Sequence, residues 1–333
     1  MSVILVSMIA YRERYLEESV RDCYDKSDRP EDLRFTVISE QSRDELHADL
    51  SFIPQHQLDF KKYDLSEFRG IVWSRGKTLE TELYYDFVLY TCGHNRFAEH
   101  WDTDLMSEYS KARAITPKAV ITASGPQFNY NPDETIALDL EERPVNRYRP
   151  EISKDYTPGY GFPNELQIDV PDTDEILEDC YIQFSWTFGP KEFAIEVPMD
   201  PDMGYHADEI STTIRSWAKG WRVYSSQKPL YLHDTHKMYP GEDTSRTISH
   251  RPWADLHKDA FWKQSDETML RINKLMSGRL EGPYGEVTKD QCLAFCEATG
   301  MNPRHCEPDY NFDKLDLPRH GDVFRSHDPI LSD

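Results

Sequence analysis

A short polar segment with metal-binding and charge-neutralising side chains follows an apolar run near residue 90. The apolar run is residues 87–90 (FVLY), and the polar segment is residues 91–96 (TCGHNR). An apolar run without alternation is typical of a central strand that is buried on both faces. Because ligands in open α/β sheets bind beyond the carboxyl ends of strands, this segment is a candidate site. A turn whose His94 and Arg96 are merely solvated explains the same residues.

Two further groups have side chains that could do chemistry. Asp208 and Glu209 open a predicted helix, where a carboxylate can contact a ligand but is also the ordinary partner of the helix dipole. Cys292 and Cys296 lie one helical turn apart, and His305-Cys306 follow. Cysteine and histidine side chains bind zinc, although the spacing of these four residues matches no common zinc finger.

Composition limits the class of partner. The 333 residues include 60 acidic and 38 basic side chains, which gives a net charge of −22. Such a field repels polyanions, including nucleic acids, except where a local basic groove forms. The 6 cysteines include no CxxC pair, a pattern typical of reduced thiols in the cytoplasm. Without a basic leader or a membrane-length apolar segment, we expect a soluble cytoplasmic protein with no membrane partner.

The elements that would position these residues alternate between strands and helices. A strand at residues 3–7, a helix at 13–26 and a strand at 33–38 indicate a parallel sheet with right-handed crossovers. Further strands are predicted at 87–90, 119–122, 221–224 and 230–232, and helices at 104–113, 210–219, 268–276 and 289–299. Residues 42–68 read as irregular, 127–172 as a long surface excursion, and 181–198 as strand-like.

The order of these motifs resembles the GlcNAc family of glycosyltransferases, whose best-known members modify protein hydroxyproline. The family motif runs roughly Gly-Glu-Glu-Phe-x-Leu-Gln-Ile-Asp-Ser-His-x-Arg-Phe and then Trp-Asp. Residues 84–97 (YYDFVLYTCGHNRF) align with it without a gap, and Trp101-Asp102 follow. The family's Phe-x-Gly-Glu-Glu-Ile is similar to residues 205–210 (YHADEI), and its His-x-Tyr-x-Arg to residues 233–237 (HDTHK). The resemblance extends over about residues 3–300.

The resemblance implies a GT-A-type fold, in which a mixed α/β sheet flanked by helices binds a nucleotide sugar. We expect a glycosyltransferase domain over residues 1–255, and a small C-terminal helical extension with its tail over 256–333. The implied reaction moves a sugar from a UDP-GlcNAc-like donor to an acceptor hydroxyl.

The resemblance also implies roles for individual residues. Asp208 and Glu209 would contact the acceptor or the reacting sugar, and Asp102 would support the site. His94 and His233 would bind a divalent metal, Mn²⁺ or Mg²⁺, which neutralises the diphosphate leaving group. The residues expected to bind the donor are Tyr11, Arg12, Gln41, Arg75, Arg96 and Lys237.

Cys92 departs from the family pattern, because it occupies the place of the metal-binding Asp. Hard ions such as Mg²⁺ and Mn²⁺ prefer oxygen to sulfur, so several alternatives stay open. A different carboxylate could join the two histidines, basic side chains could replace the metal, or catalysis could be lost. As a fourth alternative, Cys92 itself would bind a softer ion.

The acceptor also stays open at this stage. Known relatives glycosylate protein hydroxyls, and a viral or bacterial enzyme that glycosylates modified DNA bases is an alternative, in the host cytoplasm if viral. A catalytically inactive protein that binds sugar nucleotides is a second alternative, favoured by Cys92. A zinc hydrolase using the same histidines is disfavoured, because the sequence has no His-Glu-x-x-His helix.

Overall fold

The fold is that of a computed structural model. It describes residues 2–11, 13–41, 48–64, 67, 70–123, 125–130, 136–138, 147–151, 164–168, 175–203, 207–226, 228–234, 267–268, 270–301 and 303–308.

The described part of the chain contains both strands and helices, as an α/β fold requires. The strands are β1 (Ile4–Tyr11), β2 (Leu33–Gln41), β3 (Leu58–Asp64), β4 (Phe87–Cys92), β5 (Asn95–Phe97), β6 (Ala119–Thr122), β7 (Gln127–Tyr130), β8 (Ile136–Leu138), β9 (Arg147–Glu151), β10 (Asn164–Ile168), β11 (Leu177–Asp179), β12 (Trp186–Pro190), β13 (Arg222–Ser225) and β14 (Tyr231–Asp234). The helices are α1 (Leu16–Asp25), α2 (Ile71–Thr78), α3 (Trp101–Ile115), α4 (Lys191–Glu196), α5 (Ala207–Ala218) and α6 (Lys289–Thr299).

An eight-stranded mixed sheet in the order β11-β13-β6-β12-β4-β1-β2-β3 forms the centre of the fold. Strands β3, β2, β1 and β4 are parallel neighbours, and β6 is parallel to β13. Strand β12 runs antiparallel between β4 and β6, and β11 antiparallel to β13. The carboxyl ends of the other strands therefore lie at one edge of the sheet, where ligands bind in such folds.

Both faces of this sheet are buried, which explains the apolar runs in its central strands. Leu5 and Val88 point into the cluster that packs on α2, α4 and α5, whereas Val6 and Leu89 point into the cluster that packs on α1 and α3. Alternate residues of one strand therefore belong to opposite cores, as the two-residue period of a strand requires.

The C-terminal region packs on the first of these cores. Residues 270–276 are helical, and Leu275 joins the same cluster as Ile214 of α5 and Phe295 of α6. Helix α6 begins with a capping box between Thr288 and Gln291, which satisfies otherwise unpaired backbone groups. The predicted domain boundary at residues 255–256 lies outside the described residues.

A smaller four-stranded sheet, in the order β5-β14-β7-β8, begins where the large sheet ends. The chain passes from the large sheet into it from β4 to β5 through Gly93-His94, from β6 to β7, and from β13 to β14. Strands β5 and β14 pair antiparallel with His233 opposite Asn95. This register brings two distant segments together at the carboxyl edge of the large sheet.

The expected fold class, a mixed sheet flanked by helices, is confirmed. Most predicted elements are present with shifted ends, such as strand one at Ile4–Tyr11. Two expectations were wrong, because the irregular region contains β3 and the strand-like segment contains α4. The described residues of the predicted excursion form β7 to β10. Strand β3 is at the sheet edge and has no fully buried residue, so its apolar signal is weak. Within the described residues, no helix combines the length and apolar character needed to span a membrane.

Candidate functional site

Cys92, His94 and His233 bring their metal-binding atoms within 4.8 Å of one another. Cys92 ends β4, His94 follows in the turn to β5, and His233 lies on β14. The Nε2 atoms of the two histidines are 3.1 Å apart. Two imidazole nitrogens bound to one tetrahedral ion are about 3.3 Å apart, given metal–nitrogen bonds of about 2.0–2.1 Å. The spacing therefore fits two ligands of one ion, and in the absence of an ion it suits an N–H···N hydrogen bond.

The donor set of this group favours a borderline or soft ion. A thiolate and two imidazoles are preferred ligands of Zn²⁺ and Co²⁺, whereas Mg²⁺ and Mn²⁺ prefer oxygen. Among the residues that the structure describes, no carboxylate belongs to the group. In this part of the chain, Cys92 rather than a carboxylate lies beside His94 and His233.

The ring of His94 lies between two partners. Its Nδ1 is 2.9 Å from Oε1 of Glu13, and its Nε2 faces His233. Glu13, in the turn between β1 and α1, is 3% exposed, and His94 is 8% exposed. The ring planes of His94 and His233 are 25° apart, with centroids 5.1 Å apart. The imidazole is thus held in one orientation within a site that excludes most water.

Arg75 and Asp208, predicted to act separately on donor and acceptor, are bonded to each other. The Nη1 of Arg75 on α2 donates to Oδ2 of Asp208 on α5. The side chains are 6% and 2% exposed. Burial raises the pKa of Asp208, and the charge of Arg75 offsets part of that effect. The guanidinium also lies 4.8 Å from the ring centroid of Phe184. This arrangement joins α2 to α5.

Glu209, the second predicted acceptor residue, lies at the carboxyl edge of the sheet. Its Oε1 accepts a hydrogen bond from the backbone N–H of Phe184 at 2.8 Å. In the same loop, Gln183 N–H donates to Oγ1 of Thr122, the last residue of β6. Glu209 is half-buried, unlike Asp208. Its carboxylate therefore holds the 181–184 loop at the edge where ligands bind.

Asp102, expected to support the site, contacts the turn that follows α1. Its Oδ2 accepts hydrogen bonds from Ser27 Oγ at 2.7 Å and from Arg29 N at 3.1 Å, and its Oδ1 accepts one from Asp28 N at 2.9 Å. Asp102 is 4% exposed at the start of α3. Both oxygens are occupied in fixing the turn after α1, so we assign this residue to that turn.

Arg96, expected to bind the donor, makes buried contacts with α1 and the small sheet. Its Nη1 donates to Ser19 Oγ at 2.5 Å and to Asn95 O at 3.1 Å. Its guanidinium lies near the rings of Tyr15 and Phe128, and the residue is 5% exposed. A cation enclosed in this way supports the packing of α1 on the small sheet.

Tyr11 has the expected position for donor binding, at the carboxyl end of β1. It pairs in register with Glu40 of β2, which is 2% exposed and accepts a hydrogen bond from Ser74 Oγ at 2.5 Å. Burial raises the pKa of Glu40 to about 8. Gln41 ends β2, and nothing is described of its side chain. Arg12 and Lys237 lie outside the described residues.

The suggested zinc site in the C-terminal region does not bring three metal-binding atoms together among the described residues. Cys296 and Cys306 have their sulfurs 3.8 Å apart, while Cys292 Sγ donates to Leu275 O at 3.6 Å. All three cysteines belong to the first hydrophobic core. In the described part of the chain, the group with metal-ligand spacing is the one around His94.

A cavity of about 360 Å³ lies away from the site. It is lined by Arg222 and Val223 at the amino end of β13, and by Trp217 of α5 and Phe295 of α6. Because β13 is parallel to β6, this cavity is at the edge of the sheet opposite the ion-binding group.

Glu13 and Glu40 are buried carboxyls near strand ends that motif similarity did not identify. Glu13 falls in the Tyr-Arg-Glu turn after β1, which the sequence interpretation included in the following helix. Glu40 immediately precedes Gln41 at the end of β2. A search for carboxylates just beyond strand ends would have found both residues.

The chain is also similar to known proteins. A family model described as "GlcNAc: Glycosyltransferase (GlcNAc)" matches residues 48–302. No curated protein sequence matches significantly.

Two solved structures are similar to this chain at low sequence identity. The crystal structure of GalNAc-T7 with UDP, GalNAc and Mn²⁺ has a TM-score of 0.51 and 12% identity, covering 90% of this chain and 55% of that chain. The crystal structure of S. aureus TarS 1-349 has a TM-score of 0.44 and 12% identity, covering 92% of this chain and 89% of that one. This chain spans about half the GalNAc-T7 chain. The first of these similarities confirms the GT-A-type fold.

Proposed function

Because the chain belongs to the GlcNAc family of glycosyltransferases, we propose that it transfers an N-acetylglucosamine-like sugar from a uridine diphosphate donor to a hydroxyl group. The observation that carries the proposal is the meeting of Cys92, His94 and His233 at the carboxyl edge of the sheet. GalNAc-T7, which shares the fold, was crystallised with UDP, GalNAc and Mn²⁺, and this supports a nucleotide sugar and a divalent ion here.

Cys92, His94 and His233 would hold the ion in this proposal. Their spacing and donor chemistry fit Zn²⁺ or Co²⁺ better than Mn²⁺ or Mg²⁺. A bound divalent ion supplies positive charge that stabilises the diphosphate as it leaves. Tyr11 is our candidate for contact with the nucleotide, because it lies at the carboxyl end of β1.

Glu209 is the residue that we propose for the acceptor side. The reaction breaks the bond from sugar C1 to the diphosphate oxygen and forms a bond from the acceptor oxygen to C1. The hydroxyl proton passes to the Glu209 carboxylate, and UDP is released. Glu209 suits this role because it is half-buried at the carboxyl edge of the sheet, whereas Asp208 is enclosed and paired with Arg75.

The acceptor that we propose is a hydroxyl on a neutral or basic molecule, such as a protein side chain. The net charge of −22 opposes the approach of a polyanion.

All 6 cysteines are thiols in the structure, which supports a reducing compartment such as the cytoplasm.

The proposal is tested by binding and turnover of defined donors. Calorimetry with UDP and UDP-GlcNAc, in chelator and in added Zn²⁺ or Mn²⁺, should show binding that His94→Ala weakens. The exposed His56 provides a matched control, and His56→Ala should leave binding unchanged. Release of UDP from UDP-GlcNAc measures turnover before an acceptor is known. Failure to bind any nucleoside diphosphate, with or without metal, would overturn the transferase proposal.

A further inference from the structure

We propose that Glu13 is a positioning residue, whose carboxylate orients His94 so that Nε2 of the ring faces the ion-binding group. The inference rests on the proposed function, because it concerns a residue that would hold the ion. Glu13 lies between β1 and α1, and no motif in the sequence marks it.

The contact between Glu13 and His94 is buried on both sides. Oε1 of Glu13 is 2.9 Å from Nδ1 of His94, with side-chain exposures of 3% and 10%. Water has little access to compete for either atom, so the hydrogen bond is stronger than the same contact on the surface. The imidazole can therefore be held in one rotamer before any ion arrives.

This hydrogen bond also selects the tautomer of the ring. When the Glu13 carboxylate is ionised it only accepts hydrogen bonds, and Nδ1 of His94 then donates. A neutral imidazole with its proton on Nδ1 carries its lone pair on Nε2. In this structure Nε2 is the atom that lies 3.1 Å from Nε2 of His233 and belongs to the group with Cys92. Glu13 thus directs the lone pair of His94 to the place where an ion would bind. A carboxylate in this position also makes the imidazole a more basic ligand.

The glycine before His94 allows the contact to form. Gly93 N–H donates to Ile9 O at 2.8 Å, which holds the end of β4 against the end of β1. A Cβ on Gly93 would lie 2.9 Å from the Cβ of Ala10 and 3.1 Å from Cδ1 of Leu16. An alanine at this position would push β4 away from the turn that carries Glu13. Gly93→Ala therefore perturbs the contact between Glu13 and His94 without changing either residue.

The experiment compares Glu13→Ala and Glu13→Gln with the wild type and with Glu108→Gln. Glu108 is a matched control, because it is 1% exposed and pairs with Lys111 on α3. The Zn²⁺ affinity of the full chain is measured by competition with a chromophoric chelator, and the Co²⁺ form is followed by its absorption spectrum. Glu13→Ala should lower Zn²⁺ affinity about 10–100-fold. Glu13→Gln should lower it less, since an amide oxygen can still accept from Nδ1. Glu108→Gln should leave the affinity unchanged.

A second measurement needs no metal. In protein labelled with ¹⁵N at histidine, the signals of His94 are identified by their loss in His94→Ala. The metal-free wild type should carry the ring proton on Nδ1, and Glu13→Ala should lose this preference. Unchanged tautomer and unchanged Zn²⁺ affinity in Glu13→Ala would overturn the inference. If circular dichroism shows that Glu13→Ala does not fold, the inference is tested instead with Glu13→Gln and Gly93→Ala. The same two quantities are measured, the Zn²⁺ affinity and the tautomer of His94.

The results separate this inference from the proposed function. A wild type that turns over UDP-GlcNAc but binds neither Zn²⁺ nor Co²⁺ overturns the role of Glu13 and leaves glycosyl transfer standing. If the wild type binds no nucleotide sugar, but Glu13→Ala binds Zn²⁺ more weakly than the wild type does, the proposed glycosyl transfer is overturned and the positioning role of Glu13 is supported.

Discussion

Arg75 and Asp208 form an ion pair across 133 residues of sequence, and each side chain is almost completely buried. The pair fastens α2, which follows β3, to α5, which precedes β13. Removing one partner would leave the other charged and enclosed, which costs more than the pair itself contributes.

Single changes in this pair should therefore destabilise the fold strongly. We expect Arg75→Ala or Asp208→Ala to lower the free energy of unfolding by about 3–5 kcal/mol. The double change Arg75→Met with Asp208→Leu should recover much of that loss, since neither charge is then left alone. Urea unfolding measures both effects. The control Lys77→Ala breaks a pair with the 63% exposed Glu80, and it should change stability by less than about 1 kcal/mol.

Two results would contradict this prediction. One is a pair of single variants as stable as the wild type. The other is a double variant that is no more stable than the singles. The single variants are also informative about function, because nucleotide binding that survives in a folded Arg75→Ala protein would show that this cation does not contact the donor.

The sequence could predict the parts of the site that depend on the order of neighbouring residues along the chain. The apolar run 87–90 marks a central strand, and the polar residues after it fall at the ligand-binding edge. Asp208 and Glu209 are within α5 as expected, because acidic residues favour the first turn of a helix.

The rest of the site depends on long-range pairing that no local pattern contains. His233 reaches His94 because β14 pairs with β5, and these two histidines are 139 residues apart in sequence. Arg75 and Arg96 are cations that a motif comparison assigns to the diphosphate, but their buried partners could be known only from the packing. The approach of Cys92 to both imidazoles also depends on this packing, and it decides which ion the group prefers.

Replacing Cys92 should change that preference. Cys92→Asp exchanges a sulfur for oxygen donors and should raise affinity for Mn²⁺ by about 10-fold or more while lowering affinity for Zn²⁺. Calorimetry with each metal measures both constants. Cys180→Asp is the control, since it adds the same charge at a cysteine outside the group, and it should leave both constants unchanged. Equal Zn²⁺ affinity in Cys92→Asp and the wild type would show that the thiol is not a ligand.

The buried carboxyl of Glu40 should make stability depend on pH. Its pKa is raised by burial from the usual 4.5 to about 8 in the folded protein. Between these values the folded state keeps a proton that the unfolded state has lost, so stability falls as pH rises. The contribution of Glu40 to the free energy of unfolding is fully present below about pH 4.5 and is lost as pH rises through about 8.

Glu40→Gln should flatten this dependence, because an amide keeps the acceptor for Ser74 Oγ and does not titrate. The measurement is urea unfolding of the wild type and the variant at intervals from pH 5 to pH 9, a range set by the titration of this group. Glu108→Gln serves as the control, as it removes another buried carboxyl that pairs with Lys111. Parallel pH curves for wild type and Glu40→Gln would contradict the assignment.

Glu209 can be tested by a change that keeps its structural contact. In Glu209→Gln the side-chain oxygen can still accept from the N–H of Phe184, so the 181–184 loop should stay in place. The amide cannot take a proton from an acceptor hydroxyl. Glycosyl transfer should therefore fall about 100-fold or more, while UDP binding and the thermal unfolding midpoint stay near those of the wild type. Glu192→Gln, the same change in the exposed first turn of α4, is the control. If Glu209→Gln keeps full turnover and only Glu209→Ala loses it together with stability, the carboxylate fastens the loop and takes no part in proton transfer.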